Sequence, residues 1–307
     1  MRYFDAQVNG YVGVDFNDPS TRPEDIELAA QAMRDHGVAV AFPTIITASE
    51  QAMTACIHNV REAIGQFSCS AEIFKGLHLE GPFISSEAGY VGAHPKRFAI
   101  KADASLLERL CDACGDLLKL VTLSPEVDTR GELTELVVMR GSRVAAGHTN
   151  ASVEDIDRCI EKGLSLFTHL GNGCPRLMDR HDNIILRAAS RSDHLHFSLI
   201  ADGHHVPRML FEFLQRLLPL EQILVVSDAI SAAGLGPGTY RLGEREVQVG
   251  ADLAARDASG EHFVGAASTM RDAERWLTQT LELPVAELEA ILQRNAEKFF
   301  GLSIDPN

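Results

Sequence analysis

The stretch GSRVAAGHTNASVEDIDRCIEKGLSLFTHLGNG, residues 141–173, contains the repeating unit that decides the fold. An apolar run ends at His148, a helix-like segment follows, and a second apolar run ends at His169. Ser152 opens a capping-box pattern typical of a helix start, and Gly163 is a typical helix stop. The order strand, helix, strand predicts two parallel strands joined by a crossover helix.

The same alternation continues along the whole chain and predicts an α/β fold. Eight strand-like runs lie at Tyr3–Val8, Val38–Ile46, Ile73–Leu79, Leu118–Leu123, Ser142–Ala146, Leu164–Thr168, Leu195–Ala201 and Gln222–Ser227. Eight parallel strands close a (β/α)8 TIM-like barrel. An open doubly wound sheet would carry a glycine-rich phosphate loop after its first strand, and NGYVGVDF lacks that spacing.

After the eighth run the pattern changes to short alternating, turn-rich segments. We expect a small antiparallel excursion at about residues 239–266, followed by two final helices. A chain of 307 residues with 45% hydrophobic content is long enough for one barrel core. Residues 1–307 are therefore predicted to form a single domain.

Charge and composition exclude several classes of partner. The net charge of −15 repels phosphate polymers, so we expect no nucleic-acid or anionic-membrane partner. The N-terminus shows no signal-peptide pattern, and no apolar run approaches the roughly 18 residues of a membrane span. Six scattered cysteines do not resemble a disulfide framework, and we expect a cytoplasmic protein.

The cysteines do not form patterns that indicate a catalytic or metal-binding role. Cys111 and Cys114 form a lone C-x-x-C within a helix-like segment, and without a second pair we expect two buried thiols. Cys174 has no evident activating partner apart from nearby histidines, and no G-x-S-x-G elbow occurs. Nucleophilic catalysis is therefore not expected.

Four chemically active side chains each stand at the downstream end of a strand-like run. They are Glu80, His148, His169 and Asp228. A single histidine at a strand end is ordinarily a hydrogen-bonding residue, but barrel strand ends converge on one mouth, where these four become neighbours. One Glu and two His suit a catalytic zinc-type site, and a nearby Asp suits proton transfer to and from water.

Longer motifs carry a family resemblance. The chain resembles N-acetylglucosamine-6-phosphate deacetylases of the amidohydrolase superfamily through QVNGYVGVDF, HLEGPFIS with GAHP, VTLSPE, GHTNAS, THLGNG, IADGHHV, VSDA and NAEKFFGL. The resemblance covers nearly the whole chain, and HLEGPF followed by GAHP is the most specific part. Family members usually add a small β-sandwich built from both chain ends, whereas here we expect little or none.

The resemblance implies a function and a set of roles. The reaction would convert N-acetylglucosamine 6-phosphate to glucosamine 6-phosphate and acetate in amino-sugar catabolism. Glu80, His148 and His169 would hold one divalent metal per subunit, with zinc expected and iron, cobalt or manganese left open. Asp228 would be the acid/base, and His94 would polarise the acetyl carbonyl.

The resemblance also implies residues that bind the substrate. These are Ala93, Asn172, Gly173, Arg180, His205 and Phe263, with Arg180 and His205 directed at the sugar phosphate. In this family a phosphate-binding residue can come from the neighbouring subunit, which implies a homodimer.

The first strand predicts a single metal, and two other functions are also compatible with this sequence. Gln7 and Asn9 stand where many superfamily members carry an H-x-H pair for a second metal, and neutral amides are poor zinc ligands, so a single metal is predicted. A hydrolase of another N-acyl amino sugar or amide would use the same barrel. A non-catalytic sugar-phosphate-binding protein is the alternative from another class.

Overall fold

An eight-stranded parallel barrel forms the body of the protein in the computed structural model, which describes residues 1–243, 245–257, 260 and 263–304. The barrel strands are β1 Tyr3–Val8, β2 Val38–Ile46, β3 Leu77–Glu80, β4 Leu118–Leu123, β5 Arg143–Ala146, β6 Leu164–Phe167, β7 His196–Leu199 and β8 Ile223–Val225. Each strand pairs in parallel with the next one along the chain.

The barrel closes where the end of β1 meets the segment after β8. Val8 and Ala229 form a parallel bridge. The Asp228 N–H donates to the Gln7 carbonyl at 3.0 Å, and the Asn9 N–H donates to the Ala229 carbonyl at 2.7 Å. The predicted (β/α)8 barrel is confirmed, and its closure places the ends of β1 and β8 side by side.

Helices on the outside of the barrel follow most strands. They are α1 Pro23–Asp35, α2 Glu50–Gln66, α3 Ser68–Ile73, α4 Ala104–Cys114, α5 Glu132–Met139, α6 Val153–Glu161, α7 Ile184–Ala189, α8 Arg208–Leu217, α9 Met270–Thr280, α10 Val285–Glu289 and α11 Asn295–Phe300. A π-helical turn, Ala290–Arg294, joins the last two. Short 3-10 turns occupy Lys96–Phe98, Gly115–Leu117 and Leu220–Gln222. The capping box at Ser152 opens α6 as predicted.

The start of the third strand differs from the prediction. Ile73 is the last residue of α3, and β3 begins only at Leu77. The helix forms because the carboxylate of Glu27 on α1 accepts the backbone N–H groups of Cys69 and Ser70, at 3.3 and 2.7 Å. This carboxylate satisfies N–H groups that a helix start leaves without partners. A contact between residues more than 40 positions apart is not visible in the local sequence pattern.

Aromatic side chains fill the barrel interior at the end where the strands begin, and the end where the strands finish is open. Phe4 on β1 and Phe42 on β2 point inward, and Phe300 of α11 packs against both, with ring centroids 5.6 and 4.9 Å away. Burying a phenylalanine side chain stabilises the fold by roughly 1.5–3 kcal/mol. The C-terminal helix therefore closes the floor, and the carboxyl ends of the strands form the open mouth.

The excursion after β8 lies over that mouth. Its antiparallel strands are β9 Gly238–Leu242, β10 Arg245–Val249 and β11 Ala255–Arg256. Leu242 and Val247 join a buried apolar cluster with Ile46 of β2 and Val264. Within the predicted range 239–266, residues 244, 258–259 and 261–262 lie outside the described part of the chain, as do residues 305–307 at the C-terminus. The sheet is thus anchored to the barrel by apolar contacts.

The helices give no sign of a membrane span. Across the described residues, none combines the length and the apolar character that crossing a membrane requires. A separate two-residue bridge pair, Gly10–Tyr11 with Val14–Asp15, follows β1 at the mouth.

Candidate metal centre and active site

Glu80, His148 and His169 bring three ligand atoms together at the barrel mouth. The Nε2 atom of His169 lies 3.1 Å from Oε1 of Glu80 and 3.1 Å from Nε2 of His148. The Nε2 atom of His148 lies 3.5 Å from Oε1 of Glu80. Ligands about 2.0–2.1 Å from a tetrahedral ion stand ~3.4 Å apart. Among the described residues, these three buried side chains are the one cluster of His, Cys, Asp or Glu whose ligand atoms lie close enough together to hold a metal ion. The donor set fits a divalent metal.

The backbone is unusual where three of the predicted side chains leave their strands. His148, His169 and Asp228 have positive φ angles of 51°, 34° and 49°. This left-handed conformation costs an L-residue roughly 1–2 kcal/mol, and such strain gathers at functional sites. Hydrogen bonds hold the turns in place: the His169 N–H donates to Oγ of Ser198 at 2.8 Å, and the His148 carbonyl accepts the Ser85 N–H at 3.1 Å.

The His148 ring is held in one orientation. Its Nδ1–H donates to the Tyr90 carbonyl at 3.0 Å, which leaves the lone pair of Nε2 free for a metal. The backbones of Gly92 and Gly173 lie beside the same ring, and a Cβ added at either would stand only 2.9 Å from a ring atom. The two glycines therefore leave room for the ring and little more.

Glu80 is held as a carboxylate. Burial would raise its pKa, but the neighbouring side chains of His148 and His169 outweigh that effect and hold the pKa well below its usual range. The Gln7 amide donates to Oε1 of Glu80 at 3.0 Å. Burial likewise works to lower the pKa of His169, yet the hydrogen bond and charge of Glu80 raise it above its usual value. Glu80 and His169 thus stabilise each other's charged forms.

His94 is a neutral imidazole beside the three ligands. Burial is the main cause that lowers its pKa well below the usual value. Its Nδ1 accepts the Thr47 N–H at 3.4 Å, so the ring proton resides on Nε2. That nitrogen lies 3.2 Å from Nε2 of His148 and 3.7 Å from Oε2 of Glu80. His94 therefore presents an N–H donor to the space where a substrate carbonyl would meet the metal.

Asp228 stands on the β1 side of the same space. Burial, followed by the negative charge of Glu80, raises its pKa to about 6. The Asn9 side-chain amide donates to its Oδ1 at 2.7 Å. A carboxyl group that exchanges its proton near neutral pH is suited to general acid and base work.

A cavity of about 250 Å³ opens above these groups. Ten of the eleven predicted site residues line it, namely Glu80, Ala93, His94, His148, His169, Asn172, Gly173, His205, Asp228 and Phe263. Arg180 does not line it and is exposed. Two arginines not singled out from the sequence, Arg176 and Arg245, line the cavity instead. Arg176 could have been predicted from the sequence, because it follows Gly173 by three residues. Arg245 could not, because only the folded excursion brings it to the mouth, where it donates to the His94 carbonyl at 3.3 Å.

His205 is fixed at the opposite side of the cavity. Its Nδ1 lies 2.7 Å from Oδ2 of Asp202, and the other carboxylate oxygen accepts the backbone N–H groups of His204 and His205. Burial opposes ionisation of Asp202, but the His205 charge and hydrogen bonds lower its pKa. The Phe263 ring lies 4.7 Å from the His205 ring. Within the described part of the chain, the side-chain hydrogen bond of His205 is made through Nδ1, and Nε2 is the nitrogen that can meet a polar ligand.

Comparison with known proteins identifies the family. No protein-family model matches the chain. It is 32% identical, over 97% of its own length and 73% of the relative, to an N-acetylgalactosamine-6-phosphate deacetylase from Shewanella. It is 30% identical to the mouse N-acetylglucosamine-6-phosphate deacetylase, over 86% of its own length and 68% of that protein.

Solved structures agree with the sequence relatives. The fold matches N-acetylglucosamine-6-phosphate deacetylase from Pasteurella multocida with a TM-score of 0.86 and 26% identity, covering 98% of this chain and 76% of that one. The enzyme from Thermotoga maritima gives a TM-score of 0.84 and 26% identity, with 97% and 78% covered. The resemblance stated from the motifs is confirmed: the chain belongs to the N-acetylglucosamine-6-phosphate deacetylase family.

Proposed function

We propose that this chain is a metal-dependent deacetylase that hydrolyses the acetamide of an N-acetylhexosamine 6-phosphate to acetate and the amino-sugar phosphate. One observation carries the proposal. A Glu–His–His donor set shares a cavity with a carboxyl group whose pKa is about 6 and with a neutral imidazole donor. The relatives are named for the gluco and the galacto epimer, so both are candidate substrates.

Glu80, His148 and His169 would hold one divalent metal per chain, and we propose zinc. Iron, cobalt and manganese accept the same ligands. When bound, the metal would act as a Lewis acid that lowers the pKa of water and polarises the acetyl carbonyl. Gln7 already donates to Glu80 at 3.0 Å, which supports a site for a single ion.

The protein's own groups would move the protons. Asp228 accepts a proton from the attacking water and later passes it to the amide nitrogen. The C–N bond then breaks, and its electron pair stays on the nitrogen. The Nε2–H of His94 donates to the carbonyl oxygen as negative charge develops there. Because Nδ1 of His94 accepts the Thr47 N–H, the neutral ring carries its proton on Nε2, where this donor is needed.

The remaining cavity residues would bind the sugar and its phosphate. Ala93, Asn172, Gly173 and Phe263 line the walls, and His205 offers a polar nitrogen. Arg176 adds a cationic fork that matches phosphate oxygens. These groups would concentrate positive charge locally on a protein whose overall charge is negative.

We also propose that residues 1–307 form a single domain and that two copies of the chain form a cytoplasmic homodimer. Arg180 is exposed and outside its own cavity, which supports a role for it in the cavity of a second copy. Leu177 on the same loop is 92% exposed, and Met209 and Phe213 on α8 are 81% and 49% exposed. Met209 and Phe213 stand four positions apart on one face of α8, and contiguous exposed apolar patches mark interaction sites. All six cysteines are free thiols, as a reducing compartment keeps them.

An acetate-release assay tests the proposed activity. The purified protein is assayed on N-acetylglucosamine 6-phosphate, on N-acetylgalactosamine 6-phosphate and on both sugars without phosphate, each with and without a chelator. We expect chelator-sensitive turnover of at least one phosphorylated sugar. Equal kcat/KM with and without phosphate would discard the phosphate site, and turnover of other N-acyl amides alone would favour a different hydrolase.

Arg180→Ala tests the assembly. The variant is expected to raise KM for the phosphorylated sugar while leaving kinetics on the free sugar unchanged, and light scattering of the wild-type protein is expected to show a dimer. A monomer with full activity would contradict the shared cavity.

A further inference from the structure

The Asn9 side chain lies in the active-site cavity with one half of its amide in use. Asn9 is 2% exposed and lines the cavity. Its Nδ2 donates to Oδ1 of Asp228 at 2.7 Å. Its Oδ1 is buried and has no hydrogen-bond partner among the residues that the structure describes. A buried amide oxygen left without a donor costs roughly 1–3 kcal/mol, so this atom calls for a partner.

The backbone prevents Asn9 from turning away to find one. The Asn9 N–H donates to the Ala229 carbonyl at 2.7 Å, and the Asn9 carbonyl accepts the Phe16 N–H at 2.9 Å. At Gly10, a Cβ would stand 2.4 Å from the Val14 carbonyl oxygen, so the chain is packed tightly on that side too. Asn9 is thus held against Asp228 with its oxygen in a fixed place.

The missing donor must come from a molecule in the cavity. Asp228 protonates the nitrogen of the scissile amide in the proposed reaction, which brings that nitrogen within hydrogen-bond distance of the Asp228 carboxyl group. The two atoms of the Asn9 amide are bonded to one carbon, and one of them is already 2.7 Å from Oδ1 of Asp228. The N–H of the scissile amide is therefore the donor closest to the unpartnered oxygen.

We propose that Asn9 is a substrate-contacting catalytic residue whose amide oxygen accepts the N–H of the scissile acetamide while its amide nitrogen positions the Asp228 carboxylate. This inference rests on the proposed deacetylase function and adds a role that distinguishes amides from esters. Holding the N–H toward Asn9 turns the developing nitrogen lone pair toward Asp228. The proton then passes from Asp228 to that lone pair, the C–N bond breaks, and the amine leaves with the bonding electrons.

The test compares an amide with an ester in Asn9→Ala. The substrates are the N-acetylhexosamine 6-phosphate and the matching hexose 6-phosphate with an acetate ester at C2, which has no N–H. We expect kcat/KM on the amide to fall about tenfold or more relative to kcat/KM on the ester, the size of one lost hydrogen bond in a buried site. Equal losses on both substrates would overturn the proposed contact.

Two further variants separate a catalytic role from a structural one. Asn9→Asp keeps the side-chain shape but removes the donor, so both Asn9 variants should move the acidic limb of the kcat/KM profile to higher pH. Asn295→Ala is the control, because this buried amide donates to the Leu220 and Ile223 carbonyls at 2.8 Å and does not line the cavity. The control should lower thermal stability yet keep the amide-to-ester ratio and the pH profile of the wild-type protein.

These experiments distinguish a failure of the proposed role of Asn9 from a failure of the proposed function. If the wild-type protein turns over a different N-acyl amide, the proposed substrate is wrong, and the same comparison is made with that amide and its ester. If the wild-type protein turns over the phosphorylated sugar but the ratio and the acidic limb stay unchanged in both Asn9 variants, the role of Asn9 is wrong while the function stands. Absence of turnover on any amide would overturn both.

Discussion

Replacing Gly173 by alanine should loosen the metal centre without touching a metal ligand. A Cβ at this position would stand 2.9 Å from Nδ1 and 3.1 Å from Cε1 of His148, where ordinary contacts begin at 3.4 Å. The backbone of Gly92 lies close to the other part of the ring, since a Cβ added there would stand 2.9 Å from Cε1, and the His148 Nδ1–H donates to the Tyr90 carbonyl. The ring must therefore be displaced by about 0.5 Å, whereas metal–ligand distances tolerate only about 0.2 Å.

The expected loss is a ten- to hundredfold weaker affinity for the metal, the range found when groups that orient a ligand are changed. The assay is competition for zinc against a chelator of known affinity, which needs no substrate. Gly141→Ala is the matched control: its φ of 79° gives a similar left-handed strain, but nothing lies within 4 Å of the added Cβ. Both variants should lose roughly 1–2 kcal/mol of folding stability. Unchanged zinc affinity in Gly173→Ala, or an equal loss in Gly141→Ala, would refute the reasoning.

Three more predictions concern charge and metal. Asp228→Asn should lower kcat by roughly 10²–10⁴-fold while metal analysis shows the same content, because proton transfer is lost and the three ligands remain; unchanged kinetics would remove Asp228 from the mechanism. Glu80→Gln should abolish the fall in unfolding temperature that a chelator causes in the wild-type protein, since a ligand that binds only the folded state stabilises it; a chelator effect that persists would place the ion elsewhere. Burial raises the pKa of Asp5 to about 7, so the folded protein binds this proton more tightly than the unfolded chain. The contribution of Asp5 to stability should therefore fall as pH rises from about 4 to 7, and Asp5→Asn should remove that dependence in denaturant titrations; an unaltered pH dependence would contradict the assignment.

Much of the site was predictable because parallel strands carry distant residues to one rim. Glu80, His148, His169 and Asp228 each follow an apolar run, and the barrel turns that shared position into a shared cavity. The sequence did not show the left-handed turns that direct three of these side chains, because they depend on hydrogen bonds to residues such as Ser198 and Gln7.

The parts that were not predicted depend on contacts between distant segments. Helix α3 needs the carboxylate of Glu27, and Arg245 reaches the mouth only because β9 and β10 fold back over β2. The family resemblance implies that Arg180 binds the phosphate, yet a resemblance does not state whether a side chain enters its own cavity or that of another subunit. The role of Arg180 therefore stays a prediction for the assembled protein.

The central claim is that one cation, held by Glu80, His148 and His169, is needed for deacetylation. Titrating zinc into metal-free protein while recording acetate release from the phosphorylated N-acetylhexosamine tests it most directly. The account predicts activity that rises linearly and stops rising at one equivalent per chain, with no rise in Glu80→Gln. Activity that continues to climb to two equivalents, or that is present without added metal, would contradict it.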